Sequence, residues 1–194
     1  RSWEAFNYKN QFCLIDGLEP SFYFYDLKGN FLKKTFIKDF IKNSNDTYCF
    51  TGDFPRGVLN PNGNTIFLPI SKKNHTFINN IQKDNFVIAE IEIETGSVLN
   101  YYGKAGNNYK DNFMLPFQRN ITFDVDVINN RLYYSTPFRF CSDVVDLTSK
   151  SIIDSICFKP KGFNFEYKYL TNDVELRDNY TSYSALQDIC FQIL

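Results

Sequence analysis

The chain has 194 residues, enough for one domain or one and a half, and its 43% of hydrophobic residues suffices for a packed core. With 21 basic and 22 acidic residues it has a net charge of −1, which argues against a nucleic-acid partner and against a polybasic membrane anchor. No apolar run approaches the roughly 20 residues that a membrane-spanning helix needs, so we expect no transmembrane segment in this chain. Aromatic residues make up 18% of the chain, which favours β-strands.

From the N-terminus onward, the chain repeats one local pattern three times. An apolar strand ends in an acidic residue and an aliphatic residue, and a short polar turn leads into a second apolar strand, which is typical of a β-hairpin. The three segments are SFYFYDLKGNFL (21–32), FVIAEIEIETGSVL (86–99) and DVVDLTSKSII (143–153). Asp26, Glu92 and Asp146 therefore occupy equivalent positions.

A second hairpin precedes each of these segments. Its turns are predicted at residues 7–10, at the NPNGN stretch of residues 60–64 and at Asn129-Asn130, because Asn-Pro and Asn-Gly pairs mark turns. Four short antiparallel strands in a repeated unit are typical of a propeller blade. A β-sandwich is the alternative, but it does not require its groups of four strands to resemble one another.

We therefore predict an all-β protein, a β-propeller fragment of about three four-stranded antiparallel blades plus the start of a fourth. The blades are expected at residues 1–37, 55–103 and 121–158, and the fourth is expected to begin at 184–194. Residues 38–44 are predicted to form one or two helical turns in a connecting loop.

Short motifs in the hairpins add a resemblance to a known family. YDLKGN (25–30) and EIETG (92–96) resemble the outer hairpins of TolB-like six-bladed propellers, and YGKAG (102–106) is similar to the loop that leaves the outer strand there. The run from NNRLYYS (129–135) to VVDL (144–147) is similar to a blade of uncharacterised bacterial cell-envelope lipoproteins of this kind. The resemblance implies a cell-envelope or secreted propeller of unknown function.

Three blades and the start of a fourth cannot close a six-bladed ring. The chain also begins at Arg1 without a signal peptide and ends in an apolar stretch typical of a strand. We therefore expect it to be cut from a longer protein whose remaining blades are its partners. An open array leaves an apolar flank uncovered, so we expect the fragment to self-associate.

The five cysteines are odd in number, and no two have C-x-x-C spacing, which argues against a zinc site and a disulfide framework. We expect buried free thiols, with a single disulfide as the open alternative. The cysteines are Cys13, Cys49, Cys141, Cys157 and Cys190.

Few residues offer catalytic chemistry. His75 is the only histidine, which excludes a multi-histidine metal site, and no phosphate-binding loop or dinucleotide motif is present, so we expect neither metal nor cofactor. Asp124 and Asp126 alternate onto one face of a strand, and we expect them to form the polar side of a half-exposed strand. As paired carboxylates they are also the best candidates for binding a cation or another ligand, or for acid/base chemistry. Glu90, Glu92 and Glu94 alternate in the same way and are predicted to form a solvated face.

Aromatic residues are the other candidates for a binding site. The four consecutive aromatics at residues 22–25 are predicted to be buried on both faces of their strand by blade packing. Tyr109, Phe113 and Phe117 lie in a long loop on the face where propeller ligands gather, and are predicted to contact a peptide or glycan.

The sequence does not identify a function. A ligand-binding or protein-binding scaffold of the bacterial cell envelope is the favoured hypothesis, and an enzyme is the less favoured one. The alternatives are a carboxylate-based glycan-processing hydrolase and a structural or sensory ectodomain. Fold alone does not separate them, because propellers host all three.

Overall fold

The computed structural model of the chain describes residues 3–17, 19–38, 48–50, 57–60, 63–72, 86–104, 121–135 and 141–157. The chain divides into two compact units, Arg1–Lys159 and Pro160–Leu194, and every described residue lies in the first. All the secondary-structure elements assigned in this part of the chain are β-strands, arranged in three antiparallel sheets.

The first sheet is a four-stranded meander whose strands follow one another in chain order. Its strands are β1 (Trp3–Tyr8), β2 (Gln11–Asp16), β3 (Ser21–Tyr25) and β4 (Phe31–Phe36). The turn between β1 and β2 has positive φ at both Lys9 and Asn10, as the tight hairpin turns of antiparallel sheets require.

The middle sheet is also four strands wide, although five strands form it. They are β5 (Tyr48–Phe50), β6 (Val58–Leu59), β7 (Thr65–Lys72), β8 (Phe86–Glu92) and β9 (Val98–Lys104). One edge of β7 pairs with β8. The other edge pairs with two short strands, with β6 at the beginning of β7 and with β5 at its end. Together they form one interrupted strand.

The third sheet repeats the simple meander of the first. Its strands are β10 (Thr122–Asp126), β11 (Arg131–Ser135), β12 (Cys141–Asp146) and β13 (Ser151–Cys157). The predicted turn at Asn129-Asn130 joins β10 to β11, and Asn130 has the positive φ that such a turn needs. The predicted all-β class and four-stranded antiparallel sheets are therefore confirmed. The expected start of a fourth unit at 184–194 lies outside the described residues, as do residues 39–44 of the predicted helical turns.

Successive sheets pack face to face, as blades do in a propeller. One hydrophobic cluster fills the space between the first and the middle sheet. Its buried members from the first sheet and the residue after β4 are Tyr8, Cys13, Ile15, Phe22, Phe24 and Ile37, and those from the middle sheet are Ile66, Leu68, Ile70, Ala89, Ile91 and Ile93.

A second cluster joins the opposite side of the middle sheet to the third sheet. Phe67, Val87, Ile88 and Tyr102 meet Leu132, Tyr134 and Val145 there. The hydroxyl of Tyr134 also accepts a hydrogen bond from the backbone N–H of Lys104 (3.1 Å), which fixes β11 against the end of β9. The middle sheet is therefore covered on both faces, which explains why β8 is buried along most of its length.

The turn between β8 and β9 docks directly onto the first sheet. Gly96 has a φ of +68°, and a Cβ at this position would lie 1.9 Å from the carbonyl oxygen of Phe36. The N–H of Lys38 donates to the Gly96 carbonyl (3.1 Å), and the ammonium of Lys33 pairs with the carboxylate of Glu94. Only a residue without a side chain allows the two backbones to approach this closely.

The expectation of free cysteines is wrong for two of the five. Cys141 and Cys157 form a disulfide, because the antiparallel register of β12 and β13 places them directly opposite each other although they are 16 residues apart in sequence. Cys13 is a buried free thiol, as expected, and desolvation raises its pKa to about 12. The side chains of Cys49 and Cys190 lie outside the described part of the molecule.

Candidate functional site

The two predicted carboxylates, Asp124 and Asp126, lie on the same face of β10, opposite the face that packs on the middle sheet. Asp124 is exposed, and its carboxylate accepts a hydrogen bond from the N–H of Val125 (2.8 Å). Asp126 accepts two hydrogen bonds from Asn129, from the backbone N–H (3.1 Å) and from the side-chain amide (2.7 Å). Asp126 is therefore committed to closing the turn between β10 and β11.

The repeated acids of the hairpins have the same structural role. Asp26 accepts hydrogen bonds from Lys28 N–H and from both the N–H and the side chain of Asn30, each at 2.8 Å. Asp146 accepts from the N–H of Ser149 (2.6 Å). Glu92 accepts from the hydroxyl of Thr95 (2.6 Å). Each repeated acid therefore caps its turn, which explains why an acid recurs at that point in every unit.

These turns predict that acid weakens the fold. The pKa of each aspartate carboxyl in these turns is lowered by hydrogen bonds. The donors are Asn30 for Asp26, Asn129 for Asp126 and Ser149 for Asp146. Because the folded-state pKa lies below the unfolded-state value of about 4, the unfolded chain binds more protons in acid. The stabilisation is present above that value and is lost as the pH falls through the folded-state pKa values, so Tm should be nearly constant from pH 7 to about 5 and fall below about pH 4.

The control for the acid effect is the triple variant Asp26→Asn, Asp126→Asn, Asp146→Asn, which keeps an oxygen acceptor at each turn but does not titrate. Its Tm should fall less steeply than that of the unmodified protein between pH 5 and 3. Asp154→Asn, a change on β13 away from any turn, should keep the original slope. An equally steep fall in the triple variant would show that other groups cause the acid sensitivity.

In the described part of the chain, no other predicted site residue joins Asp124 and Asp126 to form a larger site. Among the residues that the structure describes, no three His, Cys, Asp or Glu side chains come together in a group that could hold a metal ion. Asp124 and Asp126 therefore have no third acid beside them in that part of the chain. Tyr109, Phe113, Phe117 and His75 lie outside the described residues, and the predicted contact of the three aromatics with a ligand stays a prediction.

The prediction of a solvated face at Glu90 is wrong. Glu90 is 8% exposed, and its carboxylate accepts hydrogen bonds from Thr65 Oγ1, Asn100 Nδ2 and Tyr102 Oη, each at 2.9 Å. Burial raises the pKa of Tyr102, and the neighbouring Glu90 carboxylate adds to that rise, so its hydroxyl remains a donor. The buried carboxylate is thus satisfied by neutral donors and holds three strands of the middle sheet together.

The prediction that residues 22–25 are buried on both faces is correct for one face alone. Phe22 and Phe24 are buried in the first hydrophobic cluster, whereas Tyr23 and Tyr25 are half-buried on the opposite face. The alternation of Phe and Tyr is the signal in the sequence, because Tyr keeps its hydroxyl near water.

Three phenylalanines share this open face with the two tyrosines. Phe12 and Phe31 lie opposite Tyr25 on the neighbouring strands, and the rings of Tyr25 and Phe31 meet edge to face with centroids 5.8 Å apart. Phe36 lies opposite Ser21, two positions before Tyr23, on the same face. Phe12, Phe31 and Phe36 are 41%, 57% and 44% exposed. We call these five aromatic residues, Phe12, Tyr23, Tyr25, Phe31 and Phe36, the aromatic face.

One ion pair crosses the aromatic face. The ammonium of Lys34 lies 2.6 Å from Glu19 and over the rings of Tyr23 (4.9 Å) and Phe36 (4.2 Å). Glu19 also accepts a hydrogen bond from the Tyr23 hydroxyl (3.1 Å). Exposed rings beside a fixed pair of opposite charges can stack on an apolar surface and orient its polar groups.

Comparisons with known proteins add little. No protein-family model and no curated protein matches the chain. Among solved structures, one described as the crystal structure of the eukaryotic initiation factor is 12% identical, with a TM-score of 0.38, over 79% of this chain and 31% of that one. The chain thus spans about a third of that structure, and we draw nothing from so distant a similarity. In the part of the chain that the structure describes, no helix has the length and hydrophobicity needed to cross a membrane.

Proposed function

We propose that this chain is a binding module, a rigid β-propeller scaffold whose aromatic face holds an extended peptide or a glycan. The observation that carries the proposal is the group of three phenylalanines that the first sheet leaves between 41% and 57% exposed on one face. Contiguous exposed apolar surface of this kind marks interaction sites in soluble proteins. Flat aromatic rings also suit the apolar faces of sugar rings and the side chains of a peptide.

Binding by the aromatic face is better supported than catalysis by Asp124 and Asp126. Asp126 is held by Asn129 in a turn, while Asp124 is exposed two residues earlier on the same strand, β10. A hydrolase of the glycan-processing type needs two carboxyl groups free to face the substrate. The aromatic face needs no such chemistry, because shape and stacking supply its contacts.

Glycan and peptide arrays provide the test, with Phe12→Ala, Phe31→Ala, Phe36→Ala as the main variant. We expect the unmodified protein to retain a ligand that this variant binds roughly 100-fold more weakly, since each exposed ring contributes about 1 kcal/mol. The Tm should change little, because none of the three rings belongs to a buried cluster.

Two further variants make the result specific. Ile128→Ser removes an apolar side chain that is 95% exposed in a turn of the third sheet, and it should leave binding unchanged. Tyr109→Ala, Phe113→Ala, Phe117→Ala tests the predicted loop site. Loss of binding in the loop variant, with full binding by the aromatic-face variant, would refute the role of the aromatic face.

We further propose that the module works in the cell envelope or after secretion, as blades of a TolB-like propeller of the lipoprotein kind that its hairpins resemble, in which the first sheet ends the row of blades and keeps its aromatic face open. The Cys141–Cys157 disulfide supports this location, because such bonds persist in oxidising compartments. Alkylation of intact source cells should label these two cysteines after reduction and not before it. Labelling without a reductant would count against the location, and a full-length sequence without a lipoprotein signal would count against the family.

A further inference from the structure

The edge strand of the third sheet, β13, gains almost nothing from burial. All seven of its residues are exposed, including Ile152, Ile153 and Ile156 at 49%, 50% and 58%. The outer strand of the middle sheet, β9, differs because it buries Tyr102 in the second cluster. Among the described strands β13 pairs with β12 alone, and because none of its residues is buried, the hydrophobic effect contributes little to holding it in place.

Three ties fix β13 to β12 besides the backbone ladder. The Asp146 turn joins the two strands at one end, and midway the hydroxyl of Ser155 donates to the carboxylate of Asp143 (2.5 Å). The Cys141–Cys157 disulfide closes the other end. The ladder itself is irregular between Val144 and Val145. An edge strand that buries no side chain has little besides these contacts to hold it, so the covalent bond contributes most.

We propose that the Cys141–Cys157 disulfide is a redox clamp: oxidised, it holds β13 on the third sheet, and reduced, it releases β13 from the edge of β12. The reductant is a dithiol. One of its thiolates attacks one sulfur of the disulfide and releases the other cysteine as a thiol, which leaves a mixed disulfide. The second thiol of the reductant then attacks the mixed disulfide and releases the remaining cysteine, so that the dithiol becomes a disulfide and two thiols remain on the protein. Two electrons and two protons pass from the dithiol to the cysteines.

Release of β13 also uncovers the neighbouring strand. The outward N–H and C=O groups of Cys141–Asp146 on β12 lose their partners on β13 and are left to water. The clamp is independent of the aromatic face, which belongs to the first sheet.

Hydrogen exchange followed by mass spectrometry on the full chain tests the clamp. We compare the oxidised protein, the protein in dithiothreitol and the double variant Cys141→Ser, Cys157→Ser. Closing a hairpin of this length is expected to slow local opening about 100-fold, so amides of Ser151–Cys157 should exchange about 100-fold faster in both the reduced protein and the variant.

The strand β4, Phe31–Phe36, provides the internal control, because it is also an edge strand and contains no cysteine. Its exchange should not change in any of the three samples. Unchanged protection of β13 in both the reduced protein and the double variant would overturn the proposal. So would an equal loss of protection in all three sheets, because the disulfide would then stabilise the whole fold rather than clamp one strand.

Discussion

Replacing Gly96 with alanine should lower the free energy of unfolding by about 2 to 4 kcal/mol. The left-handed backbone conformation at φ +68° costs an alanine roughly 1 kcal/mol, and displacing the backbone of Phe36 adds about 1 to 3 kcal/mol. No side-chain rotation relieves this contact, because the atom 1.9 Å from the new Cβ is a backbone oxygen. The substitution also strains the hydrogen bond from Lys38 to Gly96 that joins the two sheets. Urea unfolding followed by far-UV circular dichroism measures the loss.

Gly29→Ala is the matched control for this substitution. Gly29 occupies the corresponding turn of the first sheet at φ +86°, and a Cβ there meets nothing within 4 Å. It should cost about 1 kcal/mol, the conformational part alone. Equal losses in the two variants would show that the first and middle sheets are not in close contact at Gly96.

Glu90→Ala is expected to cost about 2 to 4 kcal/mol of stability. The substitution leaves three donors in the middle sheet, Thr65, Asn100 and Tyr102, without their shared acceptor. A buried donor that loses its partner costs about 1 to 3 kcal/mol, although water entering the vacated space offsets part of the total. Urea unfolding with an unchanged m-value would assign the loss to the folded state.

Two milder substitutions accompany Glu90→Ala. Glu90→Gln keeps the shape and one acceptor oxygen, so about 1 kcal/mol is expected. Glu92→Ala, two residues along the same strand, removes a half-exposed side chain and should cost less than about 1 kcal/mol. If Glu90→Ala is as stable as Glu92→Ala, the carboxylate does not organise the middle sheet.

The hairpins could be predicted from sequence because their information is local. A turn such as Asn129-Asn130 needs particular backbone angles, and the residue types that tolerate those angles stand in the sequence at that point. The equivalence of Asp26, Glu92 and Asp146 was visible for the same reason. Their hydrogen bonds to residues two to four positions later follow from the turn itself.

The burial of Glu90 could not be predicted, because it depends on contacts between strands. The alternation of three glutamates indicates one solvated face, but the strand opposite carries an extra residue, Leu99, where the register shifts after Glu90. The middle sheet is also covered on both sides, so alternation along β8 does not separate inside from outside.

The disulfide and the aromatic face depend on register in the same way. Cys141 and Cys157 become neighbours only when β12 and β13 pair, and their spacing in the sequence does not predict a disulfide. Phe12 and Phe31 join Tyr25 from two other strands, so the face exists in the sheet and not in any one segment. Patterns within one strand predict its type, whereas sites built across strands require the pairing.

The double-sided middle sheet has a consequence for how the protein tolerates change. Within the described residues, the two hydrophobic clusters share no member, and each joins one outer sheet to the middle one. Phe22 and Leu132 do not pack against each other, so a substitution at Phe22 affects the packing of Leu132 only through β7 and β8. Coupling of this kind is nearest-neighbour, as in a linear array. Each outer sheet can therefore diversify its open face while its inner face remains matched to one side of the middle sheet, which leaves the middle sheet the most constrained of the three described sheets.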